Sequence, residues 1–297
     1  MVGPVARPLA FYPGCSLEST AVMYHASVRA TLQALGLSVA ELADWNCCGA
    51  TSAHFVDPVL AVTLPARNLA LADAAGMDLL TACAACHHRL VVADHSLRTS
   101  PAMAERAREA GVSYEGGVRV QHVLSLLDGA GLNEKVRNPL TGLRVACYYG
   151  CLLLRIPKVG GIDDPEDPTI MERVLRSCGA EVVSWQARTW CCGASLALPE
   201  PGIVKELIRP ILDEAFSAGA DCIATACPLC QLNLDLHQAA DRAERDRAPL
   251  PVVFVTQLTA LALGAGARSL MFDRHIVDAG RVAQAAAAPS KGEVSVP

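Results

Sequence analysis

Trp190-Cys191-Cys192-Gly193, followed by Cys227-Pro228-Leu229-Cys230, decides how this chain of 297 residues is read. Adjacent cysteines and a C-x-x-C pair bring four soft sulfur donors to one point, and Cys151 upstream makes a fifth. Working outward, the N-terminal half carries the same set in the same order: Cys15, then Asn46-Cys47-Cys48-Gly49, then Cys83-Ala84-Ala85-Cys86. Ten of the thirteen cysteines thus belong to one pattern written twice. Cys48 to Cys192 and Cys83 to Cys227 are each 144 positions apart, whereas Cys15 to Cys151 is 136. The second copy therefore has eight more residues before its vicinal pair, and the charged, proline-bearing segment 160–168 is where they are expected. Trp45 precedes one vicinal pair as Trp190 precedes the other. An internal duplication is the firmest structural inference.

Composition bounds what uses this pattern. Hydrophobic residues make up 52%, aromatics 4%, and the net charge is -5. A chain of this length buries one large core or two modest ones, and the repeat favours two. It has no basic run, which argues against a nucleic-acid partner. No window reaches about eighteen uninterrupted apolar residues, so no transmembrane segment is expected. The opening Met1 to Pro8 is too short and proline-broken for a secretory signal, which points to a cytoplasmic protein. Disulfide frameworks belong to small secreted chains, unlike this one. Structural zinc takes four ligands and would leave one of each five unused. Iron–sulfur clusters are also held by thiolates, and a polynuclear cluster can use the extra one, so iron–sulfur is preferred over zinc.

Local patterns then place the cysteines. Leu9 to Tyr12 reads as a strand that ends at Pro13-Gly14 and delivers Cys15. Apolar residues recur at helical spacing from Ser19 to Leu35, and Gly36 supplies the stop. Leu37 to Leu42 alternates as a second strand before Cys47 and Cys48, and Gly49 is expected to let backbone close to what they hold. A helix over about 58–75 leads to the buried strand Met77–Cys83, whose end presents the C-x-x-C on the first turn of the next helix. The unpaired N–H groups of that turn favour thiolate. The strand-like segment 118–123 follows, then a linker over 134–142. The expected fold class is α/β: two pseudo-symmetric domains, each a small mainly parallel sheet flanked by helices. They span residues 1–138 and 139–282, with a disordered tail over 283–297.

The spacing C-x31-C-C-G-x33-C-x-x-C, then C-x39-C-C-G-x33-C-x-x-C, resembles the doubled cysteine-rich CCG domain of the heterodisulfide reductase B (HdrB-like) family. Tyr148-Tyr149-Gly150-Cys151-Leu152-Leu153-Leu154-Arg155 is similar to that family's second-repeat opening. The resemblance covers about residues 8–265 and implies two non-cubane [4Fe-4S] clusters. Cys15, Cys47, Cys48, Cys83 and Cys86 would hold one; Cys151, Cys191, Cys192, Cys227 and Cys230 would hold the other. It further implies a shared cavity in which a small disulfide is cleaved, one sulfur going to each cluster, with no catalytic residue beyond the ligands. The chain has no C-x2-C-x2-C-x3-C ferredoxin run and no G-x-G-x-x-G after a strand. Electrons are thus expected from a C-type (HdrC-like) subunit with cubane clusters, fed by an A-type (HdrA-like) flavin subunit. The alternative is a non-catalytic electron-transfer or anchoring subunit of a respiratory or sulfur-oxidising dehydrogenase complex.

The remaining features have plainer readings. Cys147, Cys178 and Cys222 read as buried small hydrophobes rather than ligands. His87 and His88 stand where the second copy has Gln231 and Leu232, and read as helix-surface or cavity-wall residues. His54 and His122 carry no signal. Arg155 and Lys158, just past a cysteine, either attract an anionic substrate group or sit in a solvated loop. Trp45 and Trp190 read as shields keeping water from the clusters.

Overall fold

The computed structural model describes residues 7–50, 53–156, 159–240 and 248–285. The first repeat runs β1 (Leu9–Tyr12), α1 (Val22–Ala34), β2 (Ala40–Glu41), α2 (Ala53–Val56), α3 (Leu60–Ala74), β3 (Asp78–Thr81), α4 (Ala84–Thr99), α5 (Pro101–Glu109), β4 (Val120–His122) and α6 (Val123–Asp128). The second runs β5 (Arg144–Tyr148), α7 (Ile170–Ser177), β6 (Glu181–Val182), α8 (Pro201–Ser217), β7 (Cys222–Thr225), α9 (Pro228–Ala240), β8 (Val252–Phe254) and α10 (Val255–Ala262), and α11 (Gly280–Ala285) closes the described chain. Part of the expected tail is therefore helical, and residues 286–297 lie outside the described residues.

Each repeat builds one four-stranded, wholly parallel sheet, in the orders β2-β1-β3-β4 and β6-β5-β7-β8. The central strands are short apolar runs buried on both faces, as a parallel sheet flanked by helices requires. Register is the same in both: Tyr12, Thr81 and His122 lie level across the first sheet, as Tyr148, Thr225 and Phe254 do across the second. Because all strands point one way, each repeat delivers its cysteines at the same C-terminal sheet edge, where such sheets bind ligands. The expected strand over 37–42 is two residues, since only Ala40 and Glu41 find partners on β1, followed by one further bond from Leu42 N–H to the Phe11 carbonyl at 2.8 Å. The extra residues of the second repeat extend the loop before α7, where Asp163 Oδ2 accepts from the N–H groups of Thr169 (2.6 Å) and Ile170 (2.7 Å).

The repeats join by exchanging helices. α1 of the first packs on α10 of the second, and α7 of the second packs on α6 of the first. At the first contact the hydroxyls of Ser27 and Thr256 are hydrogen-bonded at 2.6 Å, and Thr31 Oγ1 donates to the Thr256 carbonyl at 3.2 Å. At the second, the Arg173 fork grips Asp128 at 2.9 and 2.7 Å. The expected linker is tied down, with the N–H groups of Arg137 and Asn138 both reaching the Ala262 carbonyl at 2.8 and 3.0 Å. Among the described residues no helix is long and apolar enough to cross a membrane.

Candidate metal centres

In each repeat five sulfurs converge because three strand ends do. Cys15 and Cys151 follow β1 and β5, the vicinal pairs follow β2 and β6, and Cys83 and Cys227 cap α4 and α9, whose first turns carry Cys86 and Cys230. Sulfur separations are alike in the two sets: Cys15 to Cys47 is 3.6 Å and Cys48 to Cys86 3.5 Å, against 4.0 Å for Cys151 to Cys191 and 3.4 Å for Cys192 to Cys230. A disulfide would need about 2.05 Å. Tetrahedral thiolates at metal–sulfur bonds of about 2.3 Å would stand about 3.8 Å apart, so the donor sets fit a soft metal. Donation from the Cys15 thiol, then the Cys48 thiol, holds Cys47 down to about 2, and the Cys151 thiol with the Gly193 N–H holds Cys191 to about 6. Each set thus favours a thiolate before any metal binds.

The glycines between strand and cysteine keep the space open. A Cβ on Gly14 would lie 2.7 Å from Cys86 Sγ and one on Gly150 3.1 Å from Cys230 Sγ, and both residues have positive φ. Gly49 and Gly193 turn their N–H groups onto the sulfurs of Cys47 and Cys191, each at 3.4 Å. A Cβ on Gly49 would lie 2.8 Å from Ala53 Cβ and one on Gly193 2.9 Å from Leu207 Cδ1, so side chains of the following helices leave no room there for a larger residue. Tyr12 and Tyr148 floor the two sets. Their hydroxyls donate to the carbonyls of Asn46 (2.9 Å) and Trp190 (2.6 Å), which makes Asn46, not Trp45, the counterpart of Trp190. Trp45 meets Tyr12 edge-on at 5.6 Å, while in the second repeat buried Trp185 packs on Tyr148 at 6.1 Å. Trp190 is exposed, so the second repeat's tryptophan packed beside its set is Trp185.

The sets meet across the seam. The Ala85 N–H of the first repeat is directed at the Cys227 sulfur of the second. His122, fully buried, donates from Nε2 to the Ala82 carbonyl at 2.8 Å, and its Nδ1 accepts from the Leu124 N–H at 3.2 Å, which fixes the neutral tautomer. It also lies beside the Ala226 backbone, so it bridges the residues just before both C-x-x-C pairs. A cleft of ≈ 330 Å³ opens here, lined by Cys151, Cys191, Cys192, Cys227 and Cys230, by Leu152 and Leu229, and from the first repeat by Ala84, Ala85, His54, His88 and Arg89.

The other sequence candidates fall where packing puts them. Cys147, Cys178 and Cys222 are fully buried in the core. His88 is on the cleft wall, its Nδ1 3.4 Å from the Leu152 carbonyl across the seam. His87 is instead buried, edge-on to His122 at 5.8 Å and bonded to the Val120 backbone. Gln231, its counterpart, bonds the matching Val252 carbonyl at 3.2 Å, so both tie the cysteine helix to the fourth strand. Arg155 pairs with Glu166 at 3.6 Å in an exposed loop, and Lys158 lies outside the described residues. His122, His54 and Arg89 carried no sequence signal as single residues. His54 and Arg89 stand opposite Leu198 and Asn233 at the 144-position offset, an imidazole against a leucine and a charged group against a neutral amide at otherwise equivalent sites.

Comparison with known proteins adds the family. The CCG cysteine-rich domain matches twice, over residues 9–91 and 145–235. The chain is 34% identical to the 8-methylmenaquinol:fumarate reductase membrane anchor subunit of Wolinella succinogenes, over 92% of this chain and 98% of that one. It is 28% identical to the B component of a ferredoxin/F(420)H(2)-dependent CoB-CoM heterodisulfide reductase of Methanosarcina acetivorans (91% and 93% covered) and 31% identical to a heterodisulfide reductase B-like protein of Archaeoglobus profundus (84% and 89%). A crystal structure of a hypothetical protein from Helicobacter pylori shares the fold at a TM-score of 0.75 and 15% identity; this chain is covered over 92% and spans about half, 52%, of that one.

Proposed function

Because this chain belongs to the doubled CCG cysteine-rich family, with heterodisulfide reductase B-like proteins among its relatives, we propose that it is an iron–sulfur subunit of a reductase complex that reversibly reduces a small disulfide to two thiols. The observation that carries this reading is the seam cleft, walled by all five second-repeat cysteines and by residues of the first repeat. Its volume of ≈ 330 Å³ is the size of a small-molecule site. Cys15, Cys47, Cys48, Cys83 and Cys86 form one ligand set, and Cys151, Cys191, Cys192, Cys227 and Cys230 the other. These cysteines would hold non-cubane [4Fe-4S] clusters, which when bound would supply single electrons, two of which make the pair a disulfide takes. The chain's residues do the rest: Leu152, Leu229, Ala84 and Ala85 exclude water from the cleft, while Gly14 and Gly150 keep protein atoms clear of the sulfurs. Electrons arrive from a partner C-type subunit carrying cubane clusters and a flavin-bearing A-type subunit, in the cytoplasm.

Metal and sulfide analysis of anaerobically purified protein tests this first. About eight irons per chain are expected, with a paramagnetic signal that changes when a thiol meets oxidised protein. Four irons or fewer, zinc in their place, or a spectrum indifferent to thiols would refute it. A second reading rests on the likeness to the fumarate reductase anchor subunit: a protein that passes electrons without binding substrate. Full iron content with no response to any thiol or disulfide would favour that one.

A further inference from the structure

Among the described residues, two buried threonine hydroxyls have no hydrogen-bond partner: Oγ1 of Thr81, at the end of β3, and Oγ1 of Thr225, at the end of β7. They hold the same place in the two repeats, 144 positions apart, in Thr81-Ala82-Cys83 and Thr225-Ala226-Cys227. The residues before them are apolar, Leu79-Leu80 and Cys222-Ile223-Ala224, and valine, with the same branched shape, would pack there without leaving a donor unpaired. Burying a hydroxyl with nothing to bond is costly, so its presence in both copies calls for an acceptor. Register sets the direction in which each hydroxyl looks. Thr81 lies level with Tyr12 and Thr225 with Tyr148, and level residues of a parallel sheet put their side chains on one face. That face is the one the cysteines cover. A Cβ on Gly14 would lie 2.7 Å from Cys86 Sγ and 3.7 Å from Tyr12 Cε1, and one on Gly150 3.1 Å from Cys230 Sγ and 3.7 Å from Tyr148 Cε1. A third buried atom without a partner, His87 Nδ1, differs in kind: Nε2 donates to the Val120 backbone, so the neutral ring has only a lone pair at Nδ1.

We propose that Thr81 and Thr225 are hydrogen-bond donors to the iron–sulfur groups, each giving its Oγ1–H to a sulfur of the group held by the five cysteines of its own repeat. The inference rests on the iron–sulfur reading above and is independent of the substrate. A donor to sulfur favours the reduced state, which carries more negative charge, and so raises the reduction potential. Equivalent donors in the two repeats hold the two potentials together, which suits a pair of single-electron carriers that together fill a two-electron acceptor. Both threonines keep their protons and transfer nothing.

The test titrates anaerobically purified, iron-loaded protein with dithionite and follows the paramagnetic signals, in wild type, Thr81→Val, Thr225→Val, Thr81→Ser and Thr225→Ser. Each valine variant is expected to weaken reduction of one group about tenfold, a fall of about 59 mV in one midpoint with the other unmoved. Each serine variant keeps the donor and should stay within about twofold of wild type in the same equilibrium. Midpoints unmoved or raised in the valine variants, or lowered equally by serine, would overturn the proposal and leave the iron–sulfur reading intact. Should valine unload a repeat, alanine at the same position, which adds no bulk, is titrated in its place. Iron lost with valine and alanine but kept with serine would also support the proposal, the hydroxyl then being needed to hold the group; iron lost with all three would overturn it. Zinc or no metal in wild type would remove the iron–sulfur reading and the proposal with it. A wild type that loads iron yet ignores every thiol and disulfide would remove the disulfide reading alone, and the valine midpoints would still decide the donors.

Discussion

Tyr24 of the first repeat lies flat on Phe254 of the second, ring centroids 3.9 Å apart and planes 5° from parallel, while its hydroxyl donates to the Ala82 carbonyl at 2.6 Å. One side chain thus joins the helix exchange to the residue before Cys83. Phe254→Ala should cost about 3–5 kcal/mol as an unfilled cavity. Tyr24→Phe keeps the stack, and the Ala82 carbonyl keeps His122, so about 1 kcal/mol is expected. Denaturant unfolding of both variants checks the order, and equal costs would mean that the ring contact is not what holds the seam.

Glycine at the strand–cysteine turns is a requirement of both backbone and space. Gly14→Ala puts a methyl within 2.7 Å of Cys86 Sγ, and Gly150→Ala puts one within 3.1 Å of Cys230 Sγ. Each should lower bound iron and sulfide by about half, leaving the other repeat loaded. Gly14→Ala should be the more severe, its contact being shorter. Full iron content in both variants would remove these turns from the site.

The spare cysteines give the converse result. Cys147→Ser, Cys178→Ser and Cys222→Ser each place a hydroxyl in a fully buried site and should destabilise by about 1–3 kcal/mol with iron content unchanged. Cys151→Ser or Cys191→Ser should instead lose about half the iron, together with the stability that the bound metal lends the fold. Iron analysis beside thermal melting separates the groups.

Acid should destabilise this fold through histidines that it keeps neutral. Burial holds His122 down to about 3 and His275 to about 4. Both already have defined partners: His275 Nδ1 accepts from Gln231 Nε2 and its Nε2 donates to Gln257 Oε1, each at 3.1 Å. Below about pH 6.5 the unfolded chain takes up protons that the folded one refuses, so each contributes a loss of up to about 1.4 kcal/mol per pH unit. For His275 the loss levels off near pH 4. Stability above pH 7 should be indifferent to these groups. His275→Gln should flatten the slope between pH 6.5 and 4, and an unchanged slope would place the acid sensitivity elsewhere.

Much of this was legible in the residues because ligands and glycines repeat at fixed offsets. The duplication, the strand-end placement of Cys15, Cys47 and Cys83, and the burial of Cys147, Cys178 and Cys222 follow from spacing and hydrophobicity. What single positions could not show was contact across the seam. His122 looked ordinary because its partners, Ala82 and the Ala226 backbone, are distant in sequence. His87 looked like a wall residue, yet its helix faces β4. Nearness to a vicinal pair aligns Trp45 with Trp190, whereas the Tyr12 and Tyr148 hydroxyls align Asn46 with Trp190. Arg89 has its contrast only in the second copy, where Asn233 takes the equivalent place on the cysteine helix.

The helix exchange also bears on origin. α1 against α10 and α6 against α7 are the reciprocal contacts of a twofold dimer, the same patch used by both partners. A solitary ancestral unit would have covered those helices only by pairing with its twin. Joining the twins in one polypeptide released them from being identical, and a change such as arginine at position 89 against asparagine at 233 then altered one wall of the shared chamber without altering its mirror image.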